Sequence, residues 1–333
     1  MTDLRKDPIT GRWVIISKEH AKRPHGFARE PMNRGDSGVS CPLCPGSERM
    51  TTPEILAYRD SGVPNDSNWT LRVVSNKYPA LRVEGELGKA ADGIYDRMNG
   101  IGAHEVVIET PNHDIDLFDL PEKQFQNVLW AYRERILDLK KDRRFKSVII
   151  FKNHGLAAGA SLAHSHSQLI ALPVIPKRVM EEMSGAKEYF RFRDRCVLCD
   201  IVVQETEQKS RIVEETAEFL AFAPYAPRFP FETWIVPKRH QCAYEMIDEN
   251  QARALAAVFR RTLRRLNIAL ENPSFNFIIH SAPFEEWASD FYHWHVEIIP
   301  KMTKMAGFEW GSGFYINPTS PEESAKFLRE LPE

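Results

Sequence analysis

Two Cys-x-x-C pairs, each followed at long range by a histidine and then by a His-x-His triplet, occur in the same order along this chain. "CPLC" at 41–44 is answered by "CVLC" at 196–199, "HEVVIETPNH" at 104–113 by "FETWIVPKRH" at 231–240, and "HSHSQ" at 164–168 by "HWHVE" at 293–297. An ordered repeat constrains the fold more than composition does, because both halves must build the same unit. The spacings agree. Glu105 and Glu232 each stand eight residues before a histidine, His113 and His240, and the next repeated histidine follows 51 residues later at His164 and 53 later at His293.

Between those histidines each copy carries a helical period: Phe125, Leu129, Tyr132, Ile136 and Leu139 in the first, Leu255, Phe259, Leu263 and Leu266 in the second. Asp119 with Glu122, and Asp248 with Gln251, have the N-cap to N3 spacing of a capping box. Each helix leads into a β-rich run, "SVIIF" (147–151) and "FNFII" (275–279), then a loop and the His-x-His segment. Strands bunched before one long helix, with a hairpin-like return after it, predict an α+β fold: an antiparallel sheet with helices packed on it. The expected organisation is a repeat over 1–175 and a second over 176–333, sharing one continuous sheet or barrel. The charged stretch 176–195 is the expected junction, and "SPEESAKFLREL" an amphipathic closing helix.

The chain has 333 residues, 43% of them hydrophobic, so a sizeable core is available. Lys and Arg number 44 against 46 Asp and Glu, a formal net charge of -2, which supplies no global field for nucleic acid or an anionic membrane. No stretch approaches the roughly 18–20 uninterrupted apolar residues of a membrane helix, and "MTDLRKDPITGRWVII" contains no apolar signal core. The expected location is the cytoplasm and the expected partners are small molecules. Cysteine pairs in such a chain point to metal or redox chemistry over structural disulfides.

Two thiolates leave a tetrahedral zinc site half filled, so each copy must supply two more ligands. The histidines matched between copies give two sets: Cys41, Cys44, His113 and His164, and Cys196, Cys199, His240 and His293. Four protein ligands close each site, which predicts two structural zinc ions. Cys242 has no partner cysteine and reads as buried or inert.

On a strand, His164, His166 and Gln168 share one face while Ser165 and Ser167 point the other way. The preceding "FKNHGLAAGAS" places Gly155, Gly159 and Ser161 where backbone amides and a hydroxyl can approach phosphate oxygens. A neutral imidazole whose other nitrogen is held by a hydrogen bond is a good nucleophile toward phosphorus, which suits His166. Gln168, with two N–H donors, suits a phosphoryl oxygen as charge builds.

These residues, with "RKDPITGRWVIIS", "AKRP", "CPLC", "SNKYPAL" and "NHGLAAGASLAHSHSQ", resemble the galactose-1-phosphate uridylyltransferase family, a branch of the histidine triad superfamily, over nearly the whole chain. The resemblance implies a ping-pong nucleotidyltransferase working through a covalent nucleotidyl-histidine on His166. It further implies phosphate contacts by Ser161 and Gln168 with Asn153 and Gly159 beside them, approach of Asn76 and Leu43 to the nucleoside, a phosphate contact by Arg23, and a homodimer with shared sites. Iron is the alternative second metal, since some members build that site from a glutamate and three histidines, matched here by Glu182, His280, His293 and His295.

The chain departs from the parent pattern at Ser165 and Ser167, where proline is usual, at His20, where an arginine is frequent, and at Ser312 and Gly313, where hexose-binding members carry an aromatic residue and glutamate. These departures resemble the branch that includes plant-type ADP-glucose:phosphate adenylyltransferase. The parent family's activity, UDP-glucose:hexose-1-phosphate uridylyl transfer in galactose and carbohydrate metabolism, is the expected function. The alternatives are transfer of AMP from ADP-glucose or a similar donor to inorganic phosphate, and nucleotide hydrolysis. Gln168 disfavours hydrolysis, because an amide cannot act as a general base. A zinc-stapled binding protein explains the cysteines but leaves the glycine loop without a role.

Overall fold

The structure, a computed structural model, describes residues 2–17, 41–284 and 290–331. The first half lays down β1 (Asp3–Lys6), β2 (Trp13–Ile16), β3 (Glu54–Tyr58), β4 (Leu71–Ser75) and a small hairpin of β5 (Ala90–Asp92) and β6 (Tyr95–Arg97). It continues through β7 (Ala103–Ile108), α1 (Glu122–Leu139), β8 (Ser147–His154) and β9 (His166–Leu172). Helices α2 (Lys177–Arg193) and α3 (Val197–Gln208) lead into β10 (Ile212–Glu215), β11 (Phe219–Phe222), β12 (Thr233–Pro237), α4 (Glu249–Leu270), β13 (Phe275–His280) and β14 (His295–Pro300). The described chain closes with α5 (Gly307–Ser312), β15 (Tyr315–Asn317) and α6 (Pro321–Arg329).

Ten strands form one antiparallel sheet in the order β10-β11-β12-β14-β13-β8-β9-β7-β4-β3. Outward from its centre the two halves read β8-β9-β7-β4-β3 and β13-β14-β12-β11-β10, the same order twice. They join along β8 and β13, with Phe275 opposite His154 and Ile279 opposite Ile150. The expected α+β architecture and continuous sheet are both present.

The two long helices cover one face of this sheet, because their apolar stripes match its inward-facing residues. All nine of the periodic residues named above on α1 and α4 are buried. Phe125 on α1 and Phe259 on α4 meet edge to face at 5.5 Å, so the core runs across the junction between halves. Helix α4 has its capping box: the Asp248 carboxylate accepts from Gln251 N–H and the Gln251 side chain accepts from Asp248 N–H. Helix α1 lacks the expected one. Leu117–Asp119 form a 3-10 turn and Pro121, with its fixed φ of -54°, becomes the N-cap, which moves the helix start past Asp119.

The charged stretch after β9 folds as α2, whose Val179, Met183 and Ala186 pack with α3 and with Leu220, Phe222, Trp234 and Val236 of the sheet. Helix α2 also lies against the loop after β1: a Cβ on Gly185 would stand 1.7 Å from the Ile9 carbonyl oxygen, so only glycine permits this approach. Among the described residues, no helix is long and apolar enough to cross a membrane.

Candidate active site

Strand β9 opens on His166, and its alternation divides "HSHSQ" between two faces. Ser165 and Ser167 face the helices: Ser167 Oγ lies 2.6 Å from the Tyr132 hydroxyl on α1, and Ser165 Oγ donates to Glu109 Oε2 at 2.6 Å. His166 and Gln168 therefore face the opposite side. His166 is buried, 7% exposed, and its Nδ1–H donates to the His164 carbonyl at 2.7 Å. That bond places the lone pair on Nε2. Burial, with the nearby Lys152 ammonium, holds His166 below the ordinary imidazole pKa, so the ring is neutral at pH 7.

His164 faces a different group. In the first Cys-His set, His164 Nδ1 lies 3.7 Å from Cys41 Sγ and 3.5 Å from Cys44 Sγ, and His113 Nδ1 lies 3.4 Å from Cys44 Sγ. In the second, His293 Nδ1 lies 3.8 and 3.5 Å from Cys196 and Cys199 Sγ, and His240 Nδ1 lies 3.4 Å from Cys199 Sγ. Within each set all four ligand atoms fall inside 4.8 Å of one another. A tetrahedral zinc ion with its usual bonds to sulfur and nitrogen separates the two ligand types by about 3.6 Å, so the residues fit such an ion. His164 Nε2–H donates to the Thr110 carbonyl at 2.8 Å, which leaves Nδ1 free of a proton and ready to ligate.

Gln168 meets a residue that sequence reasoning did not single out. His104 on β7 places Nε2 2.8 Å from Gln168 Oε1, while its Nδ1 accepts from Ala80 N–H at 3.2 Å. Asn76 joins them: its backbone N–H donates to the His104 carbonyl at 2.7 Å, and its Oδ1 accepts from Tyr78 N–H at 2.9 Å. Leu43 is buried with Trp69, Val74 and Ile108, and Ile108 stands opposite His166 in the sheet. Asn76 after β4, His104 of β7, His166 and Gln168 of β9 and Leu43 of the first cysteine loop thus lie on one side of the sheet.

The glycine-rich loop is held by the other half of the molecule. Asn276 on β13 donates to Asn153 Oδ1 at 2.8 Å and to the Ala158 carbonyl at 2.9 Å, and Asn153 donates to the Gly159 carbonyl at 3.4 Å. Gly159 adopts a left-handed conformation, φ 88°. Ser161, at the end of this loop, is exposed. Arg23 and His20 lie outside the described residues.

Beneath the nucleophile strand, on the helix side, Lys152 and Glu109 form a buried ion pair at 2.6 Å. Neither was expected. A readable signal existed, because Lys152 follows Val148 and Ile150 at inward positions of β8, where a charge requires a partner.

At the matching place in the second half the chemistry differs. Val106 pairs with Gln168 and Trp234 pairs with Glu297, so Glu297 takes the place of Gln168, and Glu232 takes the place of His104. The expected match of Glu105 with Glu232 is therefore one residue out of register. Glu105 turns to the helices, where Arg135 binds it at 2.8 Å through both carboxylate oxygens, and the loop before His240 absorbs the missing residue. Glu182, His280 and His295 cluster beside Glu297, with His280 bonded to Glu182 at 3.1 Å and to Glu297 at 3.2 Å. Although burial opposes its charge, those carboxylates lift His280 to about 9. His293 stays with Cys196 and Cys199, apart from this cluster.

The model of the galactose-1-phosphate uridyl transferase N-terminal domain matches residues 1–176, and that of the C-terminal domain matches residues 182–326. The chain belongs to the galactose-1-phosphate uridylyltransferase family. Among this family's curated members it is 38% identical to an ADP-glucose phosphorylase from Arabidopsis thaliana, over 99% of this chain and 93% of the relative. It is 31% identical to a galactose-1-phosphate uridylyltransferase from Thermotoga maritima, over 99% and 98% respectively. The crystal structure of an ADP-glucose phosphorylase from Arabidopsis thaliana with bound ADP-glucose superposes with a TM-score of 0.85 at 37% identity, covering 100% of this chain and 99% of that one. A uridylyltransferase structure superposes with a TM-score of 0.76 at 29% identity, covering 99% and 97%. The family is one of nucleotidyltransferases, and this chain is such an enzyme.

Proposed function

We propose that the protein moves AMP from ADP-glucose to inorganic phosphate through a covalent adenylyl-histidine on His166. The observation that carries the reading is the His166–His164 bond, which leaves the Nε2 lone pair of the imidazole on the side of the sheet away from the two long helices. Nε2 attacks the α-phosphorus as the bond to the bridging oxygen breaks, and glucose 1-phosphate leaves. A phosphate oxygen then attacks the same phosphorus, the P–N bond breaks, and ADP departs with the ring restored. Gln168 donates to a non-bridging oxygen whose charge grows as each bond forms. Ser161, Asn153 and Gly159 line the phosphate path, and Asn76 and Leu43 the nucleoside. The two Cys2His2 sets hold zinc ions that brace the cysteine loops against β9 and β14; zinc supplies no Lewis acid there, since all four positions are protein ligands.

The 38% identity to an ADP-glucose phosphorylase supports AMP over UMP. Uridylyl transfer to a hexose 1-phosphate is the second reading, supported by the family models and the 31% relative. Intact-mass measurement after incubation with ADP-glucose or UDP-glucose separates them. An AMP adduct that phosphate discharges as ADP supports the first; a UMP adduct alone replaces it with the second. No adduct from either donor would falsify nucleotidyl-histidine chemistry. His166→Gly should abolish the adduct while leaving fold and metal content intact.

A further inference from the structure

We propose that His104 is a positioning residue that sets the polarity of the Gln168 amide, so that its N–H donors and not its carbonyl oxygen face the phosphoryl group. The proposal rests on the nucleotidyl-transfer reading above and assigns a role to a histidine that opens the repeated "HEVVIETPNH" segment and has no histidine counterpart in the second half.

The hydrogen-bond roles form a chain with one solution. Ala80 N–H can only donate, and it points at His104 Nδ1 at 3.2 Å, so Nδ1 carries the lone pair. A neutral imidazole has one N–H, which must then sit on Nε2. Nε2 lies 2.8 Å from the end of the Gln168 amide and donates to it, so that end is Oε1. The NH2 is left to point away from His104. Asn76 Oδ1 is taken by Tyr78 N–H, so its Nδ2, 3.2 Å from His104 Nε2, is a second donor beside that nitrogen and gains no hydrogen bond there; the backbone donor of Ala80 at Nδ1 is what decides the tautomer. An amide free to flip would spend part of its time aiming a carbonyl oxygen at an anionic phosphoryl oxygen, which repels instead of stabilising.

The second half supplies an independent comparison within one molecule. At the same register it places two carboxyl groups, Glu232 and Glu297, and Glu297 is bound by Arg228 and by His280. Neither side chain has an amide NH2 to present outward. The half with the glycine-rich loop has the donor polarity, and the other half has lost it.

Three substitutions separate polarity from packing. His104→Gln retains an N–H donor toward Gln168 Oε1, His104→Leu removes it, and His104→Glu offers only an acceptor and favours the flipped amide. For each, single-turnover adduct formation with ADP-glucose, the donor dissociation constant and the unfolding temperature are measured. Expected rates fall in the order wild type, Gln, Leu, Glu, with Gln within about 10-fold of wild type and Leu and Glu down by the 10²–10³-fold typical of a lost charge-stabilising donor. Dissociation constants should move much less than rates. Rates that follow unfolding temperature, or a Glu variant as fast as wild type, overturn the proposal. Nitrogen-15 NMR of labelled histidine reads the tautomer without activity: Nε2–H is expected for His104, and Nδ1–H would overturn the assignment even in a protein that forms no adduct. Absence of adduct in wild type, by contrast, overturns the function reading and leaves the tautomer result to stand or fall separately.

Discussion

Lys152 Nζ donates to the backbone carbonyl of His166 at 2.8 Å, from the helix-covered side of the sheet. Its other two hydrogens go to Glu109 Oε2 at 2.6 Å and Ser165 Oγ at 3.1 Å, so the ammonium is fully used. Tyr132 extends the network, donating to Glu109 Oε1 at 3.4 Å. This network accounts for Ser165 and Ser167 in "HSHSQ", because a proline at either position has no hydroxyl to complete it.

Breaking such a pair leaves an uncompensated buried charge, whereas removing both charges does not. Lys152→Met should therefore cost about 3–5 kcal/mol in urea unfolding. Lys152→Met with Glu109→Leu should recover most of that loss. A double variant as unstable as the single one would contradict a charge-burial origin.

Metal analysis should find two zinc ions per chain, and Cys41→Ser or Cys199→Ser should each lower the count to about one. Because the thiols must be deprotonated to ligate, loading should fall as pH is lowered, and chelation should lower the unfolding temperature. Two ions retained in Cys199→Ser would remove Cys199 from the second site and reopen Glu182, His280 and His295 as ligands.

Gly155 adopts φ 80°, and a Cβ there would stand 2.2 Å from Ser274 Oγ. Gly155→Ala should cost about 1–3 kcal/mol and slow adduct formation by displacing the loop that Asn276 holds. Adding Ser274→Gly relieves the collision but not the backbone strain, so it should restore only part of the stability. Full recovery would assign the whole effect to the collision.

Glu322 ties α6 to the first and second halves through Arg5 at 2.8 Å and Arg211 at 3.0 Å. Burial raises its pKa, but the two guanidinium groups outweigh burial and hold it below the ordinary carboxylate value. A depressed folded pKa means that the unfolded chain binds the proton first. This contribution is complete above the unfolded value of about 4.3 and is lost as pH falls through the folded value. Wild type should therefore lose more stability than Glu322→Gln between pH 5 and the acid limit of the fold. Parallel acid limbs for the two proteins would rule out this linkage.

Much of the fold was legible because it repeats. The buried stripes of α1 and α4, the runs that became β8 and β13, and the four ligands of each cysteine set all follow from residue type at regular spacing. The errors share a cause: they depend on where a segment begins, not on what it contains. Asp119 has the right distance to Glu122, yet Pro121 starts the helix. Glu105 and Glu232 have the same distance to a histidine, yet they lie on opposite faces, since a shift of one residue on a strand reverses every side chain. The stretch 176–195, expected as the junction between the repeats from its charge, folds as α2, because Val179, Met183 and Ala186 suffice to seat one face of the helix.

The amino-acid sequence by itself carried the duplicated α+β plan and the grouping of the two Cys2His2 sets, because both halves repeat the same residue types in the same order, and it singled out His166 by strand alternation beside a glycine-rich loop. Only the tertiary structure decided what surrounds them. Asn276 reaches the glycine loop from 117 residues beyond Gly159, Lys152 holds the His166 carbonyl through the sheet, and His104 meets Gln168 from the adjacent strand. These contacts are set by strand register, which is a property of the assembled sheet and has no local signature in any one strand.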